Sequence, residues 1–368
     1  MDFSKLDAFM KQMPERGIPA CELAVTKDGE TIYRTYVGYA DSAKTRPVSN
    51  EDMYWIFSAT KVITCICAMK LVEEGRLKLD DPVSKYIPEY AELTVLQKDG
   101  TIVKANETMR VIHLFTMTGG MTYNLGTDNI KNAEDRTTLG IVRAMAKDPL
   151  MFEPGTRYRY SLCHDVLAAV VEVVSKMRFS EYVSQLLFNP LGLKNIGFHP
   201  TDGQLARFSA MYRYRNGTAI AEEIPIQNAY CISPDYDSGG AGLFSTVDDY
   251  TSIITAVACG KILKPETLAM MQKGNYICDD ALNDFVNTRL YGYSWGLCGR
   301  VHTNPTLSLS KSPIGEFGWD GAAGAFSMID PDNRIALYYG MNAFSCQYAY
   351  HVIHPTIRNL VYEELKKQ

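Results

Sequence analysis

The chain has 368 residues, 46% hydrophobic and 21% charged, which excludes a disordered or fibrous polymer and leaves room for two or three domains or one large two-lobed unit. Thirty-seven Lys and Arg against 42 Asp and Glu give a net charge of −5 without any basic run, so nothing invites nucleic acid or an anionic membrane. The N-terminal stretch lacks a basic region followed by a long apolar one, and no window approaches ~18 uninterrupted apolar residues, so neither an export signal nor a membrane span is read.

In chain order, Phe3, Leu6, Phe9 and Met10 have helical spacing. Two β-prone runs, Ile18–Val25 and Thr31–Val37, flank Asp28-Gly29, a strong hairpin signal. From Ser58 the pattern turns helical through Val62, Ile63, Ile66, Met69 and Val72, and Gly75 stands where such a helix stops. The stretch from Leu77 to Tyr90 holds Pro82 and Pro88 and reads as loop. A short helix begins at His113–Met117 and ends at Gly119-Gly120. The run His164–Met177 is apolar round nearly its whole circumference and predicts a buried helix. Thr246 before Val247-Asp248-Asp249 reads as an N-cap with an acidic first turn. The last third returns to strands over Tyr293–Val301, Ala322–Ile329 and Arg334–Met341, followed by a C-terminal helix over Tyr348–Lys366, bent or broken near Pro355. The order predicts an antiparallel sheet built from both chain ends with a helical lobe inserted between them.

Nine cysteines, an odd count, include Cys65 and Cys67 inside an apolar run, which fits reduced, buried thiols and a cytoplasmic location. No CxxC pair, HExxH or HxH occurs, and His351 and His354 read as surface or core residues, so no metal site is expected.

Three features could carry chemistry. Ser58-Ala59-Thr60-Lys61 matches S-x-x-K; alone this is weak, and Ser308–Lys311 matches too. Context separates them: Ser58 opens a buried helix, whose unpaired N–H groups favour developing negative charge, and Lys61 stands one turn on along the same face. Burial there would lower the lysine's pKa until the neutral amine could accept the serine proton. The plain alternative is an N-cap serine followed by a solvated lysine. The second feature is Tyr160 in the stretch Tyr158–Asp165, a phenol that could relay a proton or simply pack in the core. The third is the glycine-rich stretch Phe317–Gly324, which could admit a substrate closely and offer an N–H to an oxyanion, or merely serve a tight strand crossing.

Taken together in that order, these residues resemble the serine β-lactamase and penicillin-binding-protein superfamily, most closely the class C-related branch with the family VIII esterases. Leu71–Pro82, Phe152–Gly155 and Gly239–Thr246 are familiar from the same branch, so the resemblance spans nearly the whole chain. It implies an α/β lobe from residues 1–60 and 285–368, a mainly helical lobe from 61–284, and an active site in the cleft between them. It further implies Ser58 as the acylated nucleophile, Lys61 as general base, Tyr160 as the second-motif tyrosine, and the N–H groups of Ser58 and Ala322 as the oxyanion hole. Two positions depart from the antibiotic-hydrolysing members. Leu162 stands where they carry Asn, and Trp319-Asp320-Gly321 replaces Lys-Thr-Gly. Strand alternation would turn Trp319 and Gly321 toward the site and Asp320 away. Tyr123, Tyr291 and Trp295 are further candidates for apolar walls around a substrate.

The expected function is an intracellular serine hydrolase acting through an acyl-enzyme on esters of small, partly apolar substrates, with no cofactor and no nucleic-acid or membrane partner. An acyltransferase or a D-amino-acid peptidase or amidase of the same fold is the alternative among enzymes. A silent acyl- or peptidyl-ligand binder is the alternative outside them, and such a binder would have no need of Ser58, Lys61 and Tyr160 together.

Overall fold

Both ends of the chain feed one seven-stranded antiparallel sheet. The computed structural model describes residues 1–215, 221–288 and 290–367. Helix α1 (Ser4–Lys11) leads into the hairpin β1 (Ala20–Lys27) and β2 (Glu30–Gly38). Asp28 and Gly29 adopt φ of 55° and 91°, the left-handed pair required by a two-residue turn whose twist matches the strands. Helix α2 (Thr60–Glu73) follows a 3-10 turn over Phe57–Ala59 and ends before Gly75, at φ 70°. Helix α3 (Cys163–Ser175) is buried from Cys163 through Val171, as its apolar circumference requires. Helix α4 (Val247–Ala258) starts on Thr246, whose side chain accepts from the Asp249 N–H at 3.2 Å.

The C-terminal third supplies β3 (Tyr293–Gly296), β4 (Gly299–His302), β5 (Phe317–Gly318), β6 (Phe326–Asp330) and β7 (Ile335–Met341). The sheet order is β3-β4-β5-β6-β7-β1-β2, with Cys21 of β1 opposite Met341 of β7. Two expected strands are corrected. Residues 293–301 form a hairpin, because the chain reverses at Leu297-Cys298 and Gly299 takes φ 92° with its backbone against Gly318. The strand expected from Ala322 starts only at Phe326; Gly324, at φ 93°, closes a turn before it. The chain ends in a π-helical turn over Ala349–Ile353 and helix α5 (His354–Leu365), so the break near Pro355 takes the form of a widened turn.

Leu6 and Met10 of α1 and Ile357 and Val361 of α5 cover one face of the sheet over Leu23, Val25 and Leu337. α4 covers the other face, where Tyr250 stacks on Tyr338 with ring centroids 4.1 Å apart. Helix α4 lies inside 61–284, the range expected as the helical lobe, and packs on the sheet. The larger core surrounds α2 and α3. Among the described residues no helix is long and apolar enough to cross a membrane.

Candidate active site

A cavity of about 480 Å³ opens between the β5 end of the sheet, the C-terminal helix and the N-terminus of α2, and Ser58, Tyr160, Trp319, Gly321 and Ala322 all line it. Its volume lies in the range of small-molecule sites. Ser58 sits in the 3-10 turn ahead of α2. The preceding residue, Phe57, is held at φ 46°, a left-handed conformation that costs a non-glycine residue roughly 1–2 kcal/mol. Its ring is pinned edge-on against Phe344, with centroids 4.8 Å apart, so packing holds the bend that presents the serine.

Lys61 lies one helical turn on, with Nζ 3.3 Å from Ser58 Oγ. The side chain is buried, donates to the Gly240 carbonyl at 2.7 Å and lies 3.1 Å from the Tyr123 hydroxyl. Desolvation lowers its pKa to about 7, against an opposing attraction from Asp165. A substantial fraction of neutral amine is therefore present near neutrality, within reach of the serine proton.

Tyr160 is fixed by aromatic neighbours. It stacks on Tyr123 with centroids 5.2 Å apart, and Lys61 Nζ lies 4.6 Å from its ring centroid. The Trp319 indole N–H donates to its hydroxyl oxygen at 2.9 Å, which leaves the phenolic proton free to be given elsewhere. Burial pushes the Tyr160 pKa well up, so the group keeps its proton as a phenol near neutrality. Ser58 and Ala322 both line the cavity, and among the described residues neither N–H has a hydrogen-bond acceptor. Tyr350, on the π-helical turn, donates to the Gly321 and Ala322 carbonyls at 2.8 and 3.0 Å and ties down the loop that carries them.

The structure brings together Ser58, Lys61, Tyr160, Trp319, Gly321 and Ala322, and it moves four other expectations. Leu162 is 2% exposed and faces a separate small cavity with Met121 and Ile130, so it does not act as a cleft wall. Trp295 is fully buried beneath the site, 4.5 Å from the Trp319 ring centroid, with its N–H bonded to the Phe115 carbonyl at 2.8 Å; it supports the wall from behind. Tyr123 belongs to the polar centre around Lys61. Asp320 also lines the cavity, because β5 stops at Gly318 and strand alternation no longer governs the next residues. Tyr291 stands at the mouth, 58% exposed. The rival serine, Ser308, bonds His302 Nε2 at 2.7 Å, and its Lys311 pairs with Glu363 on the surface, so that tetrad builds no nucleophile–amine pair.

Residue-by-residue reading missed Asp165. This buried carboxylate accepts from Tyr236 at 2.7 Å and Ser238 at 2.6 Å, and its second oxygen has no partner. A methyl group placed on Gly240 would come within 2.4 Å of that oxygen and 3.4 Å of Lys61 Nζ, so this glycine lies between the acid and the amine. The available signal was a charge in the first turn of a helix that is apolar from Val166 through Val171.

The Beta-lactamase family model matches residues 6–348. Esterase EstB from Burkholderia gladioli is 28% identical over 358 residues, covering 89% of this chain and 87% of that protein. A solved structure described as EstCE1, a hydrolase with promiscuous acyltransferase activity, superposes with a TM-score of 0.81 at 26% identity, covering 98% of both chains. Unliganded simvastatin synthase (LovD) from Aspergillus terreus shares the fold, with a TM-score of 0.83 at 19% identity over the whole of both chains. With this fold, a serine and a buried amine in one cleft, and esterase relatives over most of its length, the chain belongs to the beta-lactamase family and is a serine hydrolase.

Proposed function

We propose that the protein hydrolyses carboxylic esters of small, partly apolar substrates through an acyl-enzyme on Ser58. The observation that carries this reading is the buried Lys61 amine, 3.3 Å from Ser58 Oγ and with a pKa of about 7. The neutral amine takes the Ser58 proton as Oγ attacks the ester carbonyl, and the N–H groups of Ser58 and Ala322 hold the resulting oxyanion. Tyr160 gives its phenolic proton to the departing alkoxide and regains one from the Lys61 ammonium, so the alcohol leaves neutral and Lys61 returns to the amine. Water then adds to the acyl-enzyme, its proton passing by the same route, and the carboxylic acid departs with Ser58 restored. The route needs no cofactor.

A second reading, transfer of the acyl group to an alcohol or amine, is favoured by the resemblance to EstCE1, whose description includes promiscuous acyltransferase activity. We assign the protein to the cytoplasm: all nine cysteines are free and six of them are buried, as reduced thiols in a reducing compartment would be.

Labelling with a fluorophosphonate probe followed by peptide mapping tests the reading. Modification at Ser58, with loss of labelling and of ester hydrolysis in Ser58→Ala, is expected. A modified Ser308, or full turnover by Ser58→Ala, overturns it.

A further inference from the structure

Among the described residues the three most exposed large apolar side chains are Leu309 at 78%, Leu307 at 62% and Ile314 at 60%, and all three belong to the loop after β4. Isolated exposed leucines are ordinary on a protein surface, whereas a group of them marks a surface that something apolar covers. The loop is firmly held. Buried His302 grips both of its limbs, its ring nitrogens bonding the Ser308 hydroxyl at 2.7 Å and the Pro313 carbonyl at 2.9 Å. From α5, Asn359 donates to the Leu309 carbonyl at 3.2 Å and accepts from the Lys311 N–H at 2.9 Å. Within this frame Leu309 ends a short helical turn (Pro305–Ser308) at φ 55°, a left-handed position that glycine and asparagine adopt more readily. The chain thus places a leucine where its backbone is strained and its side chain meets water, and neither choice serves the fold.

Leu307 and Tyr291 also line the cavity that holds Ser58. Gly292 packs against the same turn, for a methyl group on it would stand 2.5 Å from the Ser308 nitrogen. The patch is therefore continuous with the entrance to the site. We propose that this rim docks on the surface of an aggregated, uncharged ester phase, from which sparingly soluble esters pass into the cavity. The inference rests on the serine-hydrolase reading and names its substrate class: small esters of low solubility, presented at an interface instead of free in water. Charge favours that occupant. Lys311 is the one charged residue from Pro305 to Gly315, and it pairs with Glu363, so the patch offers little to an anionic surface and no charged rim to a folded partner. A folded partner or a second copy seated here would also cover the entrance, whereas an ester phase supplies what the cavity takes in.

The test uses the full chain with two esters, p-nitrophenyl butyrate in solution and tributyrin below and above its solubility limit, and reads docking separately by flotation of the protein with tributyrin droplets. The wild type is expected to float with the droplets, and its rate on tributyrin to climb with droplet area at constant total ester. The variant carrying both Leu309→Asn and Ile314→Asn should lose at least about tenfold in flotation and in emulsion turnover, the effect of withdrawing leucine-sized side chains from an apolar phase. Its rate on dissolved p-nitrophenyl butyrate should stay within about twofold of wild type. Leu309→Asn alone should keep or raise the melting temperature, because asparagine tolerates the left-handed backbone, so the loss is not one of folding. A wild-type rate that levels off at the solubility limit whatever the droplet area overturns the proposal, as does undiminished flotation of the double variant. A wild-type dimer in gel filtration that the double variant dissociates makes the patch an interface between copies and overturns it too. Absence of hydrolysis of dissolved p-nitrophenyl butyrate instead counts against the serine-hydrolase reading, while flotation still decides the docking, so the two failures are distinguishable.

Discussion

In the proposed mechanism the chemistry turns on Lys61, whose environment sets the pH at which it could work. Burial holds its pKa near 7, so the amine is charged below that pH and neutral above it. Proton abstraction from Ser58 requires the neutral form, and kcat/KM for a neutral ester should therefore fall as pH drops through about 7. Lys61→Arg should lose at least ~10²-fold, since guanidinium cannot give up its proton. Asp165 stabilises the charged form through the gap that Gly240 keeps open; Asp165→Asn should shift the acidic limb of the profile to lower pH. Stability carries the same signature. Between about pH 7 and the ordinary lysine value near 10.5, the unfolded chain holds a proton that the folded chain has lost, so this residue's contribution to stability rises with pH across that window. Lys61→Met should accordingly raise the melting temperature, and by more at pH 6 than at pH 10. A pH profile flat from 6 to 9, or a melting-temperature gain that does not depend on pH, would remove Lys61 from the role of base.

The elements around that residue explain why so little freedom remains at the site. The loop after β5 passes so close to the turn before α2 that a methyl group on Gly321 would stand 2.4 Å from the Ile56 carbonyl. Backbone faces backbone there, so no side-chain rotation could relieve the contact, and the approach sets the loop that carries Ala322 against the turn that carries Ser58. Gly321→Ala should push the loop away and cost about 10²–10³ in kcat, as loss of one oxyanion donor does, while circular dichroism stays native. Retention of full kcat would show that the second donor lies elsewhere. The same contrast between local and distant causes decides what the sequence could reveal. The β1–β2 hairpin, α2 with its Gly75 stop and the Thr246 cap were legible because each is specified within a few residues. The hairpin at 297–299 and the late start of β6 were not, because Gly299 and Gly324 answer to Gly318 and Met341 across the fold. Ser58 and Lys61 were readable as one helical turn. Asp165 and Tyr350 were not, since Asp165 meets the Gly240 N–H 75 positions away and Tyr350 meets the loop carbonyls 28 and 29 positions away. Leu162 was misplaced for the same reason: it stands two residues from Tyr160, yet its side chain turns into another cavity.

At the scale of the whole molecule, the cleft decides the fate of the acyl-enzyme. Two acyl acceptors compete for one carbonyl, and water is present at ~55 M; an alcohol wins only where the site positions it with an effective molarity well above that, as well-oriented sites can. Such positioning needs a rigid wall on the acceptor side. Of the aromatic residues expected to supply one, Trp295 lies behind the site and Tyr123 is engaged with Lys61. Tyr291 and Leu307 stand at the mouth, 58% and 62% exposed, where they can attract an apolar molecule without fixing its orientation. Trp319 is the aromatic wall directly beside Tyr160, and its indole N–H is already spent on the tyrosine hydroxyl. Hydrolysis should therefore dominate, with transfer arising only by mass action. As the concentration of a primary alcohol rises, transferred product should increase linearly relative to hydrolysed product, with a similar slope for short and long alcohols. Counting both products by mass spectrometry checks this. Transfer that saturates with acceptor concentration while hydrolysis falls in step would mean that the cleft holds a built acceptor site, and would make acyl transfer the reaction for which this fold is shaped.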